Sequence, residues 1–91
     1  MRFHPMVKAV DVPKLDPTVR DRIRRAIESK LTHRPEHHAK PLAHTLAGLW
    51  CLRVGDWRVI FAIRGEEVWV LRIGHRREVY EQLDDREPAG S

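Results

Sequence analysis

The stretch GLWCLRVGDWRVIFAIRGEEVWVLRIGHRREVY, Gly48 to Tyr80, decides the fold. It contains three apolar runs, GLWCLRV, WRVIFAI and EVWVLRI, separated by a Gly55-Asp56 turn and an Arg64-Gly65-Glu66 turn. Runs this short, rich in Val, Ile and Trp and joined this tightly, predict an antiparallel meander.

Strand side chains alternate between the two faces of a sheet. In the first run Trp50, Leu52 and Val54 share one face, and Leu49, Cys51 and Arg53 the other. In the second, Trp57, Val59, Phe61 and Ile63 form an apolar face, opposite Arg58, Ile60, Ala62 and Arg64. In the third, unbroken alternation puts Trp69, Leu71 and Ile73 on the packed face, with Val68, Val70 and Arg72 behind. Arg53, Arg58 and Arg72 are thereby expected together on an uncovered face, with Arg76 and Arg77 following where the third strand runs out. Like charges opposed across strands repel, so such a face points to an anionic partner.

Upstream, Leu15-Asp16-Pro17 marks a helix start: Asp16 is an N-cap type and proline suits the first helical position. The helix then carries Val19, Ile23, Ala26, Ile27 and Leu31 on one stripe, with Arg20, Arg24 and Arg25 on the rest of its surface, and Pro35 stops it. Before it, Met1 to His4 reads as a brief strand and Pro5 to Pro13 as a turn or two of helix. His33 to Ala47 reads as loop. After the meander a short helix is expected over Arg77 to Leu83, then a tail, DDREPAGS, with nothing to bury. The fold class is therefore α+β: a meander sheet packed on one face by two N-terminal helices, in a single domain over residues 1–83 with a flexible tail at 84–91.

Composition narrows the function. At 91 residues, 42% apolar and 33% charged, the chain is sized for one thinly cored globular domain. No apolar run is long enough for a membrane span and no leader is evident, so a cytoplasmic location is expected. The single cysteine, Cys51, excludes an internal disulfide and fits a reducing compartment. Arginine dominates the 17 basic residues, which outnumber 13 acids for a net charge of +4. Arginine is also the side chain that grips phosphates in two-pronged fashion. Glycine-rich phosphate loops and serine-centred nucleophile motifs are absent. The six histidines follow no standard ligand spacing, so neither metal nor cofactor is expected. Tyr80, the one tyrosine, stands just past Gly74, His75, Arg76 and Arg77. Nearby guanidinium groups favour a phenolate, so its pKa is expected below the usual value of about 10.

These residues resemble the RelE/ParE superfamily of small toxins from toxin–antitoxin modules. The likeness runs through FHPMV, DVPKLDPTVRDRIRRAI, KPLAHTLAGLWCLRVGDWRVIFAI and VWVLRIGHRREVY, nearly the whole chain. It implies a RelE-like fold and, for RelE-like members, a metal-independent endoribonuclease that cuts mRNA on the ribosome and so inhibits translation. Carried over by position, Arg58 matches a strand arginine at the scissile phosphate. Arg76 matches a second active-site arginine, and Tyr80 a C-terminal tyrosine that stacks on or orients the nucleotide. Arg53, with Arg72, His75 and Arg77, would bind RNA around them. The implied partners are a cognate antitoxin, the ribosome with its mRNA, and operator DNA only through the antitoxin complex. Two departures stand out. Many relatives carry a basic residue where this chain has Cys51, and the short N-terminal strand is expected to leave a sheet edge exposed. The resemblance also leaves open a ParE-like toxin that poisons gyrase without being a nuclease, and a degenerate member kept as antitoxin partner and co-repressor.

Overall fold

The computed structural model describes residues 1–42 and 48–80. The expected meander is present: β3 (Leu49–Val54), β4 (Trp57–Arg64) and β5 (Glu67–His75) pair in antiparallel order. Gly55 (φ +63°) and Gly65 (φ +62°) open the two tight turns in the left-handed region that glycine adopts at least cost. Two short strands, β1 (Arg2–Phe3) and β2 (Lys40–Pro41), complete a five-stranded sheet in the order β1-β5-β4-β3-β2. β1 runs parallel to β5, and β2 lies antiparallel to β3, within a segment that reads as loop from sequence.

Helix α1 (Pro17–Lys30) starts as its sequence dictates, with the Asp16 carboxylate accepting from the Thr18 N–H at 2.8 Å. It ends at Lys30, short of Pro35; the Leu31 N–H closes the last turn on the Ile27 carbonyl. Between β1 and α1 the chain makes a wide, π-type turn over Val7–Asp11 and a 3-10 turn over Val12–Lys14. This irregular segment and α1 are the two N-terminal helices of the fold. Ile23, Ile27 and Leu31 from α1 and Val7 from the irregular segment share a core with Leu52, Val54, Val59, Phe61, Val68, Val70 and Ile73 from the sheet. Trp50 stacks on Phe61 at 6.5 Å between centroids.

The third meander strand corrects the expected parity. Val68 and Val70 face the helices, while Trp69 and Leu71 lie on the opposite face. The cause is a β-bulge. Phe61 of β4 opposes Val70 and the adjacent Ile60 opposes Arg72, so Leu71 is an extra residue. Past it the alternation is reset, returning Ile73 to the core and keeping Arg72 on the second face.

That second face is not bare. Leu49, Cys51, Ile60, Ala62, Leu71 and Val79 form a second, smaller apolar cluster, with Leu42 and Trp69 packed against it. Val79 reaches it because residues 76–80 turn back after β5, the Glu78 and Val79 N–H groups both donating to the His75 carbonyl. This is a turn as far as Tyr80. The rest of the helix expected to Leu83 and the tail at 84–91 lie outside the described residues, as do positions 43–47.

The exposed edge expected from the short first strand is partly closed by Asp11. This residue is 5% exposed, and its carboxylate accepts the Ile73 N–H at 2.9 Å, beyond the point where β1 stops pairing with β5. Asp11→Ala leaves that buried donor unpaired. A loss of about 1–3 kcal/mol is expected in urea unfolding, and Asp11→Asn, which keeps an acceptor, retains most of it.

Candidate nucleic-acid interface

Residues opposed across paired strands share a face, so the register lays out the second face row by row. At the hairpin end Arg53 of β3 stands directly opposite Arg58 of β4, which stands opposite Gly74 of β5. The next row is Lys40, Cys51, Ile60 and Arg72. The face therefore carries a basic band beside an apolar patch. Among the described residues no carboxylate pairs with Arg53, Arg58, Arg72 or Lys40.

Arg58 is fixed in place by its own hairpin. Its Nη1 donates to the Gly55 carbonyl at 2.7 Å and to the Trp57 carbonyl at 2.8 Å. These bonds use one nitrogen and leave the guanidinium charge uncompensated, which preorganises it for an anion. The turn gathers other arginines. Arg76 donates its backbone N–H to the Asp56 carbonyl at 2.9 Å, and its side chain lies 3.8 Å from the Asp56 carboxylate in an exposed pair. An exposed pair of that length contributes little and is readily exchanged for a phosphate. Arg22 of α1 lies so close to Gly55 that a β-carbon there would meet its guanidinium at 2.9 Å.

Tyr80 is half-exposed, and its hydroxyl donates to the Cys51 sulfur at 3.8 Å. Its pKa moves opposite to the sequence expectation: it is raised above the ordinary 10.0. Burial is the largest cause, followed by the hydrogen bond to Cys51 and the charge that this thiol can carry. Arg58 and Arg53 act in the other direction and are outweighed. The sequence showed the arginines but not the burial. Tyr80 is therefore a neutral phenol in the physiological range, suited to stacking and hydrogen bonding rather than to taking a proton. Because it is the one tyrosine in the chain, absorbance at 295 nm reports it alone, and its midpoint is expected above 10.0. A raised pKa means that the fold favours the protonated phenol. This contribution to stability is complete below the unfolded pKa and disappears as pH rises through the folded one. Cys51→Ala lowers the midpoint, and a midpoint at or below 10.0 in the native protein would contradict this environment.

The structure thus groups Arg53, Arg58 and Tyr80, with Arg72 one row away and Arg76 at the neighbouring turn. His75 does not join them. It opposes Trp57 on the helix-side face and meets that ring edge-on at 5.5 Å, while its Nδ1 accepts from the Arg77 N–H at 3.3 Å. The Arg77 side chain is exposed beyond the strand. Lys40 was missed. A two-residue strand has no periodicity to read, yet it sets a lysine opposite Cys51.

The profile of a family described as the ParE toxin of type II toxin–antitoxin systems (parDE) matches residues 8–80. The chain is 32% identical over 72 residues to Toxin RelG of Mycobacterium tuberculosis, covering 77% of this chain and 83% of that one. Its fold superposes with a TM-score of 0.75 on a chain of the M. tuberculosis toxin–antitoxin complex RelBE2, at 31% identity, covering 82% of this chain and 94% of that one. A RelB–RelE antitoxin–toxin complex from Methanococcus jannaschii matches with a TM-score of 0.70 over 90% of this chain and 98% of its counterpart; at 18% identity, this is a likeness of fold. A profile spanning most of the chain and a relative above 30% identity agree with the meander and its arginines, and the chain belongs to the RelE/ParE superfamily of type II toxin–antitoxin toxins.

Proposed function

We propose that the protein is a ribosome-dependent mRNA endoribonuclease that inhibits translation and is neutralised by a cognate antitoxin. The observation that carries this reading is the Arg53–Arg58 pair, opposed across β3 and β4 with no carboxylate among the described residues and with the Tyr80 phenol beside it. Two guanidinium groups in register can hold one phosphate while its charge grows.

In the cut, the ribose 2′-oxygen attacks phosphorus, the P–O5′ bond breaks, and a cyclic 2′,3′-phosphate and a 5′-hydroxyl result. One proton leaves the 2′-hydroxyl and one reaches the 5′-oxygen. Arg58 and Arg53 stabilise the extra negative charge on the phosphorane, and Arg76 supplies further charge once it exchanges Asp56 for phosphate. Arginine remains protonated and Tyr80 is held neutral, so neither is a general base. The phenol stacks on or orients the nucleotide, and water carries the protons. No step draws on a metal.

The antitoxin is assigned by analogy with RelBE2, a toxin–antitoxin complex. One observation favours a second reading: the matching profile is that of ParE, and a ParE-like toxin would poison gyrase without cutting RNA. Purified protein, ribosomes and an mRNA with a defined codon in the A site separate the two readings. Ribosome-dependent cleavage that leaves a cyclic 2′,3′-phosphate and a 5′-hydroxyl supports the nuclease, while intact mRNA together with inhibited gyrase supercoiling supports the other.

A further inference from the structure

Arg72 is grouped with the RNA-binding arginines by strand parity, but its hydrogen bond leads elsewhere. The bulge at Leu71 brings it onto the second face opposite Ile60, and its Nη2 donates to the Glu78 carbonyl at 3.2 Å. Its Nε is buried without an acceptor among the described residues, while the Nη2 bond to Glu78 lies at the exposed side of the guanidinium. Glu78 lies in the turn that carries Tyr80. The next residue, Val79, is fully buried in the second apolar cluster and packs over Gly74, where a β-carbon would touch it at 3.6 Å. Three anchors therefore hold residues 76–80 against the sheet: the Arg76 N–H on the Asp56 carbonyl, Val79 by packing and Arg72 by a hydrogen bond. Tyr80 is the next residue along.

We infer that Arg72 is a positioning residue: by clamping the Glu78 carbonyl it holds the 76–80 turn so that the Tyr80 ring stays against Cys51, beside Arg53 and Arg58. The catalytic consequence rests on the nuclease reading above, whereas the placement of Tyr80 does not. The bulge then has a specific use. Without it, alternation would turn Arg72 toward the helices and leave Glu78 with no strand donor, which fits the tendency of bulges to re-aim one side chain beside a site.

The test is Arg72→Met, which keeps an unbranched stem and removes the donors, with Arg72→Gln as the milder variant should the first not fold. The Tyr80 titration at 295 nm is the readout that phosphate binding by Arg72 would not move. Loss of a nearby cation can only raise a phenol's pKa, so a fall on removal of Arg72 reports geometry. The expected result is a midpoint that falls back toward 10.0 as the ring loses its cover and its Cys51 partner. In ribosomal cleavage, kcat falls about tenfold or more with KM within about twofold, the pattern of a misplaced group. A midpoint unchanged from wild type overturns the clamp whatever the activity does. If KM instead rises with kcat retained and the salt slope of binding falls by about one, Arg72 is a phosphate contact and the clamp is likewise overturned. Should the wild-type protein cut no mRNA, the nuclease reading fails, and the titration still decides the clamp.

Discussion

Arg58→Ala is expected to lower kcat for ribosomal mRNA cleavage by about 10²–10³-fold, the cost typical of removing one preorganised group that stabilises transition-state charge. The size of the effect follows from how the side chain is held. Its two bonds to the Gly55 and Trp57 carbonyls fix the guanidinium before substrate arrives, so little reorganisation is needed as charge builds on phosphate. Arg58→Lys recovers only part of the loss, because an ammonium is a point charge and cannot present a planar fork. The fold is spared. Arg58 lies outside both apolar clusters, and its removal relieves the repulsion with Arg53 directly opposite. A thermal midpoint at or above that of wild type, with single-turnover cleavage nearly abolished, is the expected pair of results. Retained cleavage would remove Arg58 from the chemistry.

The second large effect concerns the platform. Phe61 is fully buried at the centre of β4, stacked on Trp50 and packed among residues from α1 and the sheet. Phe61→Ala is expected to cost about 3–5 kcal/mol, from lost transfer free energy and the cavity left behind. A 91-residue domain has roughly 5–14 kcal/mol in all, at about 0.05–0.15 kcal/mol per residue, so this is a large share of it. Thermal unfolding should fall by roughly 15 °C or more. Urea unfolding that shows a loss under about 1 kcal/mol would mean that the sheet does not pack on α1 through this ring.

Which features could be read from sequence follows from their range. The three long strands, their two glycine turns and the stripe on α1 are local patterns, set by alternation, by φ > 0 and by helical spacing, and all are present. What escaped depends on partners far along the chain. The bulge at Leu71 exchanged the faces of Val68, Trp69, Val70 and Leu71, because alternation carries no mark of where a ladder slips. Arg72 nevertheless reached the expected face, one bulge restoring what a misassigned parity had supposed. Asp11 carries no local mark of its use, which depends on an N–H 62 positions later. For Tyr80 the neighbouring cations were visible, while the burial and the Cys51 contact that outweigh them were not. His75 was read by its place in GHRREVY, and the strand register then turned it to Trp57. Lys40 offered no signal at all.

On the proposed reading, the RNA contacts divide by geometry: Arg53 and Arg58 would hold phosphate as an opposed pair, Arg76 would join them from Asp56, and Lys40 extends the basic band across Cys51. Cys51, where the resemblance leads one to expect a cation, supplies an acceptor for the tyrosine hydroxyl.

We propose that the opposed arginines and Tyr80 cut mRNA, and mapping of 5′ ends in translating cells is the decisive test. The wild-type chain, expressed under tight control, is expected to generate new mRNA 5′ ends phased to codons. These ends should vanish with Arg58→Ala and fall steeply with Tyr80→Ala, which removes the ring, while both variants remain folded. Growth arrest with no new 5′ ends and with gyrase supercoiling inhibited would contradict it.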